Sequence, residues 1–455
     1  MCRTICSDKK RIGISVVEKI RNIKGAFQKI LRRKECAMKL TINNIGKLKN
    51  AEVVIDGITV ITGENDTGKS TVGKVLWSVF NGFYEIDEKV YNEKVSELEK
   101  IIDEIIKENV YKNLSTDYNS FFEIFNSTGK KIAIEFLKGN KDYSEDEIKI
   151  IINNYKKDLK IENISNFVQE INETLKISDK EIIKVIVSRI MNKEFHNQIN
   201  AVFYKEKMNI GEISLKIKDK EIDLKIENNE ISDVQNYFLI NKETMYIDNP
   251  FILDSYDFED ENHQTHLATN VFSENENSVI SEIKVKKKLN NIYQKLNSVL
   301  SGEILENKNS KFVYRKNGED IDLKNLSTGL KTFAIIKMLL QNGTLEENGT
   351  IILDEPEIHL HPEWQLKFAE LIVLLQREFG MHILLTTHSP YFLNAIEVFS
   401  ERHKIDDKCK YYVAENEGNS SIIKDVTGNT REIYRKLARP IQDLENIRYS
   451  SDLDE

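Results

Sequence analysis

Gly63-Glu-Asn-Asp-Thr-Gly68-Lys69-Ser70-Thr71 is the stretch on which the fold turns. It satisfies G-x-x-x-x-G-K-[ST] in full, behind an apolar run from Ile58 to Thr62 that reads as a strand and ahead of a helical pattern. Gly63 and Gly68 let backbone N–H groups close around phosphate oxygens without Cβ obstruction, and the helix start adds partial positive charge. Within the loop, Asn65 and Thr67 join the nucleotide-contacting candidates. Lys69 is placed for β- and γ-phosphates, Ser70 for a Mg²⁺ ion, and Thr71 for the α-phosphate.

Working outward, strands are expected at Lys39 to Ile42, Ala51 to Ile55 and Ile58 to Thr62. Val72, Val75, Leu76, Val79, Phe80 and Phe83 mark one buried face of the following helix. Residues 85 to about 195 keep helical periodicity: Val95, Leu98, Ile102 and Ile105, then Ile148, Ile151, Tyr155 and Leu159, then Ile164, Val168, Ile171 and Leu175. Ser144 with Glu147 and Ser178 with Glu181 fit the S-x-x-E capping box. Each apolar seam is too short for a coiled-coil arm, so a compact helical lobe is expected. Alternation at Ile213, Leu215, Ile217 and at Ile222, Leu224, Ile226 predicts a hairpin about the turn Lys218 to Glu221. A strand into Tyr246 to Pro250, an acidic loop from Asp254 to Glu261, a Lys-rich helix over Ser278 to Val299 and a hairpin about Asn317-Gly318 follow. The domain reading is 1–37 as a basic extension, 38–84 with 240–400 as the core, 85–239 as helical lobe plus hairpin, and 401–455 as C-terminal strands and helix.

Three more segments carry chemistry. Thr350-Ile-Ile-Leu-Asp354-Glu355-Pro reads as a buried central strand ending in two carboxylates, and its end is where open α/β sheets put ligands. Asp354 is suited to hold Mg²⁺ and Glu355 to polarise an attacking water. Met381-His-Ile-Leu-Leu-Thr-Thr-His388-Ser389-Pro is a second such strand, whose exit His388 can orient water or donate to a γ-phosphate. Asn325-Leu-Ser327-Thr-Gly329-Leu-Lys331 opens a helix expected from Thr332 to Leu340. One chain needs one phosphate cradle, so this second anion-binding helix start is expected to serve the nucleotide of another subunit.

Composition fits this reading. The 455 residues are 40% hydrophobic and 31% charged, which describes a globular chain able to build a large core. No run approaches the roughly 18 apolar residues of a membrane span, and a cytoplasmic location without membrane partners is expected. The net charge of −9 is uneven, because residues 1–37 hold eleven Lys/Arg against three Asp/Glu, leaving −17 for the rest. An acidic body argues against a broad nucleic-acid coat but leaves room for a local basic groove. Met38 begins a clean strand pattern; either translation starts there, or residues 1–37 form a basic helix for a membrane or nucleic-acid surface. Cys2, Cys6, Cys36 and Cys409 show neither disulfide nor zinc spacing and read as free thiols.

Gly63 to Thr71, Leu326 to Leu330, Asp354-Glu355 and His388 occur in the order of Walker A, signature, Walker B and switch histidine, so the chain resembles an ABC ATPase. Asp354-Glu-Pro-Glu-Ile-His-Leu-His-Pro362 and Thr386-Thr-His-Ser-Pro390 resemble the stand-alone "AAA family ATPases" related to RecF, SMC and overcoming-lysogenization-defect (OLD) proteins. The resemblance covers residues 38–85 and about 240–400 well. It implies an α/β P-loop NTPase of ABC (RecF/SMC-like) type with an antiparallel β subdomain and a helical insertion lobe. It also implies ATP and Mg²⁺ as cofactors and a head-to-tail dimer, or a higher oligomer, in which Ser327 and Gly329 touch the γ-phosphate held at the partner's Lys69. Relatives of Septu-like and PARIS-like type imply control of an effector nuclease, with DNA as a further partner, in anti-phage defence.

Three departures stand out. Asp66 puts an acid where the family has Gly, Thr328 and Leu330 replace Gly and Gln in the signature, and no Q-loop glutamine is evident, so Asp248 or Asn249 is the expected substitute. His359 and His361 read as a partner-facing loop, with a metal pair as the alternative. The alternatives for the whole chain are an OLD-like DNA-processing enzyme or DNA-repair ATPase, although Asp452-Leu-Asp-Glu455 is a poor metal motif, and an ATP-gated binding module with little turnover, which Asp66 supports.

Overall fold

In the computed structural model the described residues are 38–113, 128–139, 141–155, 161, 164–201, 210–254, 262–273, 291–306 and 312–451. The basic segment 1–37, Leu159, the acidic loop after Asp254, residues 278–290 of the expected Lys-rich helix and the tail from Asp452 lie outside them. The chain divides into two units, one of residues 82–189 with 239–241, the other holding the remainder.

The larger unit is built on one eleven-stranded sheet in the order β6-β5-β4-β1-β2-β14-β13-β3-β12-β11-β7. At its centre β3 (Ile58–Gly63), β11 (Thr350–Asp354), β12 (His382–Thr387) and β13 (Cys409–Glu417) run parallel, with β7 (Thr244–Ile247) at the edge. Their near-continuous apolar runs follow from burial on both faces, and every residue of β3 is buried. Two helices of the same unit, α8 (Thr328–Gln341) and α9 (Pro362–Phe379), bury Phe333, Ile336, Phe368 and Ile372 in the main core with Leu353 and Leu385. Register then sets the site: Asp354 lies level with Thr386, and Ile61 and Thr62 pair with Thr386 and Thr387. The ends of β3, β11 and β12 therefore converge.

The other half of the sheet is largely antiparallel. β1 (Met38–Ile45) pairs with β2 (Leu48–Ile55) and with β4 (Gly211–Ile217), and β5 (Lys220–Glu227) and β6 (Glu230–Gln235) follow. The hairpin grouped above with the helical lobe thus belongs to the main sheet, because Leu215 pairs with Leu40 on a strand far away in sequence. Its turn is also tighter than expected: Lys218 takes φ 59°, leaving only Lys218 and Asp219 between the strands. After the short helix α7 (His263–Val271), a small sheet of β8 (Glu303–Glu306), β9 (Phe312–Lys316) and β10 (Glu319–Asp322) contains the hairpin about Asn317. The chain closes with α10 (Pro390–Arg402), β13, β14 (Ser420–Asp425) and α11 (Arg431–Ser451). Cys409 is a free, buried thiol.

From β3 the chain enters α1 (Lys69–Phe83), whose six anticipated apolar positions are all buried. The smaller unit is helical: α2 (Ile86–Asn113), α3 (Thr128–Gly139), α4 (Glu145–Tyr155), α5 (Ser165–Lys176) and most of α6 (Asp179–Phe195). Leu98, Ile102, Ile105, Ile132, Phe136, Ile148, Ile152 and Ile171 form its core, each such burial stabilising by about 1.5–3 kcal/mol. The Ile148–Ile152 spacing turns Tyr155 outward, 41% exposed, against its expected place in the seam. Both capping boxes close: the Ser144 N–H donates to Glu147 Oε2 at 2.9 Å and the Ser178 N–H to Glu181 Oε2 at 3.1 Å.

Candidate functional site

The glycine loop bends through a left-handed residue at Gly68, φ 78°, where an added Cβ would lie 2.7 Å from the Leu48 side chain. Thr67 is buried and its hydroxyl donates to the Glu64 carbonyl at 2.8 Å, pinning the loop on itself. Lys69 begins α1 and is only 4% exposed. Its ammonium donates to the carbonyls of Gly63 at 3.2 Å and Glu64 at 2.8 Å and lies 3.6 Å from Glu355 Oε1. Burial lowers its pKa, while Glu355 and Asp354 oppose the shift. Ser70 and Thr71 complete the first turn of α1; Gly63 ends β3, and exposed Asn65 lies in the loop between them.

Asp66 takes φ 58°, the left-handed position that suits the glycine it replaces. Its side chain is 85% exposed, and Lys47, in the β1–β2 turn, donates to its carboxylate at 2.6 Å and to its carbonyl at 2.5 Å. The acid is therefore paired with a cation, an exposed contact worth at most about 1 kcal/mol.

The convergent strand ends place the carboxylates. Asp354 accepts from the Thr386 hydroxyl through Oδ1 and from the Tyr246 hydroxyl through Oδ2 at 2.9 Å. Glu355 stands at φ 49°, unusual for a side-chain-bearing residue, and its N–H donates to Thr386 O at 3.2 Å and Thr386 Oγ1 at 3.0 Å. Strain of this kind gathers at functional sites and costs on the order of 1–3 kcal/mol. Its Oε1 is in contact with His388 Nε2, and His388 first, with Lys69 second, holds its carboxyl below the usual range despite burial. Glu357, 4% exposed, accepts from the Thr387 hydroxyl and from the His388 N–H at 3.0 Å, so it fixes the backbone that presents His388. Burial raises the Glu357 pKa.

The structure thus gathers Lys69, Glu355 and His388 into one cluster, with Asp354 adjoining. The Asp354 carboxylate, oriented by its two hydroxyl donors, and the Ser70 hydroxyl on the first turn of α1 are hard oxygen groups of the kind Mg²⁺ takes. Among the described residues, the hydrogen bonds and ion pairs of this cluster do not reach Ser327 or Gly329. Helix α8 starts at Thr328, four residues before the expected start, because Ser327 is its N-cap. The Ser327 hydroxyl makes no capping bond and is exposed, while Gly329 is buried against Trp364 and the His359 carbonyl. His361 caps α9 by accepting from the Glu363 N–H, and among the described residues no cluster of three His, Cys, Asp or Glu could hold a metal.

Sequence reasoning missed Tyr246, Thr386, Glu357 and Lys47. Thr386 and Glu357 lay inside the quoted motifs and could have been proposed as supports; Tyr246 and Lys47 come from strands and turns that only the fold brings near. Asp248, expected to reach the site, instead faces Gln264 and His263.

Residues 58–394, well over half the chain, match the family described as "AAA domain, putative AbiEii toxin, Type IV TA system". The chain is 33% identical over 107 residues to "Retron Vc95 probable ATPase" of Vibrio cholerae serotype O1 biovar El Tor, an alignment spanning 21% of this chain and 20% of that protein. Among solved structures it is similar to the SMC head domain from Thermotoga maritima, at 11% identity and TM-score 0.37, covering 86% of this chain and 99% of that one. It is also similar to an ATP-binding cassette of an ABC transporter in its ADP conformation, at 11% identity and TM-score 0.31, covering 85% and 89%. No described helix is long and apolar enough to cross a membrane.

Proposed function

The chain belongs to this AAA domain family, and from that premise we propose that it is of ABC/SMC-like type, binds ATP with Mg²⁺ and hydrolyses it between two copies of itself. The observation that carries the proposal is Glu355 set between Lys69 at 3.6 Å and His388. In this reading Ser70 and Asp354 hold Mg²⁺, which would neutralise charge on the phosphates and help orient them. Phosphates entering the loop draw the Lys69 ammonium away from Glu355. Glu355, kept ionised by His388, then accepts a hydrogen bond from the attacking water, and His388 orients it.

The dimer is supported by Ser327, whose exposed hydroxyl makes no capping bond at the start of α8. Ile358 and Tyr391, close in sequence to Glu355 and His388, are 61% and 74% exposed and offer apolar side chains to a second copy. Control of a separate effector, a nuclease acting in anti-phage defence, is the biological reading, supported by the retron ATPase relative and by the motif resemblance. The experiment is Glu355→Gln: ATP binding is retained while turnover falls about a hundredfold or more. Normal turnover in that variant would remove Glu355 from the mechanism.

A further inference from the structure

Next to the phosphate site lies a buried polar assembly that the hydrolytic scheme does not use. Tyr246, on edge strand β7, is 1% exposed, and its hydroxyl donates to Asp354 Oδ2 at 2.9 Å. Its ring stacks on the His263 imidazole with centroids 4.4 Å apart. His263 in turn lies between two carboxylates, its Nδ1 2.8 Å from Glu194 and its Nε2 3.0 Å from Asp248. Glu194, in the last turn of α6, has a side chain with no exposure at all. Gly73 on α1 makes room: a Cβ there would lie 3.3 Å from the Tyr246 hydroxyl oxygen and 3.1 Å from Ile352.

A fully buried carboxylate and a half-buried one on either side of a buried imidazole are costly to bring together and are retained when they fix a geometry. What they fix here is the ring of Tyr246, and what Tyr246 holds is one oxygen of Asp354. We infer that Tyr246 is a positioning residue for the divalent cation, acting in the place expected of Asp248 or Asn249: its hydroxyl, locked by the His263 stack, holds Asp354 Oδ2 and so sets how the carboxylate is presented to Mg²⁺. The inference rests on the Mg²⁺–ATP reading above.

The test uses full-length protein, with Mn²⁺ as a spectroscopic substitute for Mg²⁺. Mn²⁺ binding is titrated by electron paramagnetic resonance with saturating ATP analogue, and the affinity for the same analogue is measured separately in EDTA. Tyr246→Phe keeps the ring and its stack but removes the hydroxyl; its Mn²⁺ affinity in the nucleotide complex falls roughly three- to tenfold, while metal-free nucleotide affinity stays within about twofold. Gly73→Ala keeps the hydroxyl but crowds it and weakens Mn²⁺ in the same direction. In turnover assays, Tyr246→Phe needs more Mg²⁺ for half-maximal rate. Wild-type Mn²⁺ affinity in Tyr246→Phe, with the parent protein still coupling metal to nucleotide, overturns this inference alone. A parent protein whose Mn²⁺ affinity is indifferent to nucleotide overturns the Mg²⁺–ATP reading and this inference with it.

Discussion

Glu355 at φ 49° and Asp66 at φ 58° are two side chains held in backbone conformations that ordinarily favour glycine, and each is held by a named partner. For Glu355 the partners are Thr386 and His388; for Asp66 it is Lys47. Lys47→Ala leaves the Asp66 charge unpaired beside incoming phosphate, so nucleotide affinity falls about two- to fivefold, and adding Asp66→Asn restores most of it. A fluorescent-nucleotide titration of the single and double variants checks this, and unchanged affinity in Lys47→Ala would mean the pair is ornamental. His263 gives a pH signature. Burial disfavours its charge, but Asp248 and Glu194 outweigh burial and push its pKa up to about 9 from the ordinary 6.5. A raised folded pKa means stability fully present below about pH 6.5 and lost as pH rises through 9, so Tm drops by several degrees across that window. His263→Gln flattens this dependence in thermal melts, and an equally steep loss in the variant would assign it to another group.

At the level of elements, much was legible because the signals were local. The apolar run of β3 against its Gly-rich exit, the β11 run ending in Asp354-Glu355 and the S-x-x-E boxes each state their geometry within ten residues or so. The last of these makes a prediction: Ser178→Ala removes the acceptor of the Glu181 N–H, 3.3 Å away, and the first turn of α6 exchanges its amide hydrogens roughly three- to tenfold faster. Unchanged exchange would show that tertiary packing alone holds that helix start. What was not legible depends on pairing across distance. The hairpin of β4 and β5 alternates as a strand pair should, but nothing in that alternation says that Leu215 lies against Leu40 in the main sheet. Tyr246 is one apolar letter in a short edge strand, and its hydroxyl meets Asp354 because β7 and β11 are parallel neighbours. Asp248, the more polar letter two residues on, drew attention and turned out to face His263. Start positions also slipped where a cap decides them, as Ser327 does for α8.

For the whole molecule, the central claim is that each ATP is handled by Lys69, Asp354, Glu355 and His388 of one copy and by Ser327 and Gly329 of another. Within one chain the first group is gathered at the ends of β3, β11 and β12, while Ser327 stands exposed at the start of α8 with no capping bond. A two-fold pair would carry two such composite sites. The direct measurement is ATPase activity in a mixture of two variants, Lys69→Ala and Ser327→Arg, each inactive alone. The mixed dimer rebuilds one intact site from the unaltered Lys69 of one chain and the unaltered Ser327 of the other, so an equal mixture recovers activity, up to about a quarter of the unaltered protein's. A mixture no more active than its two folded components would contradict a site shared between copies.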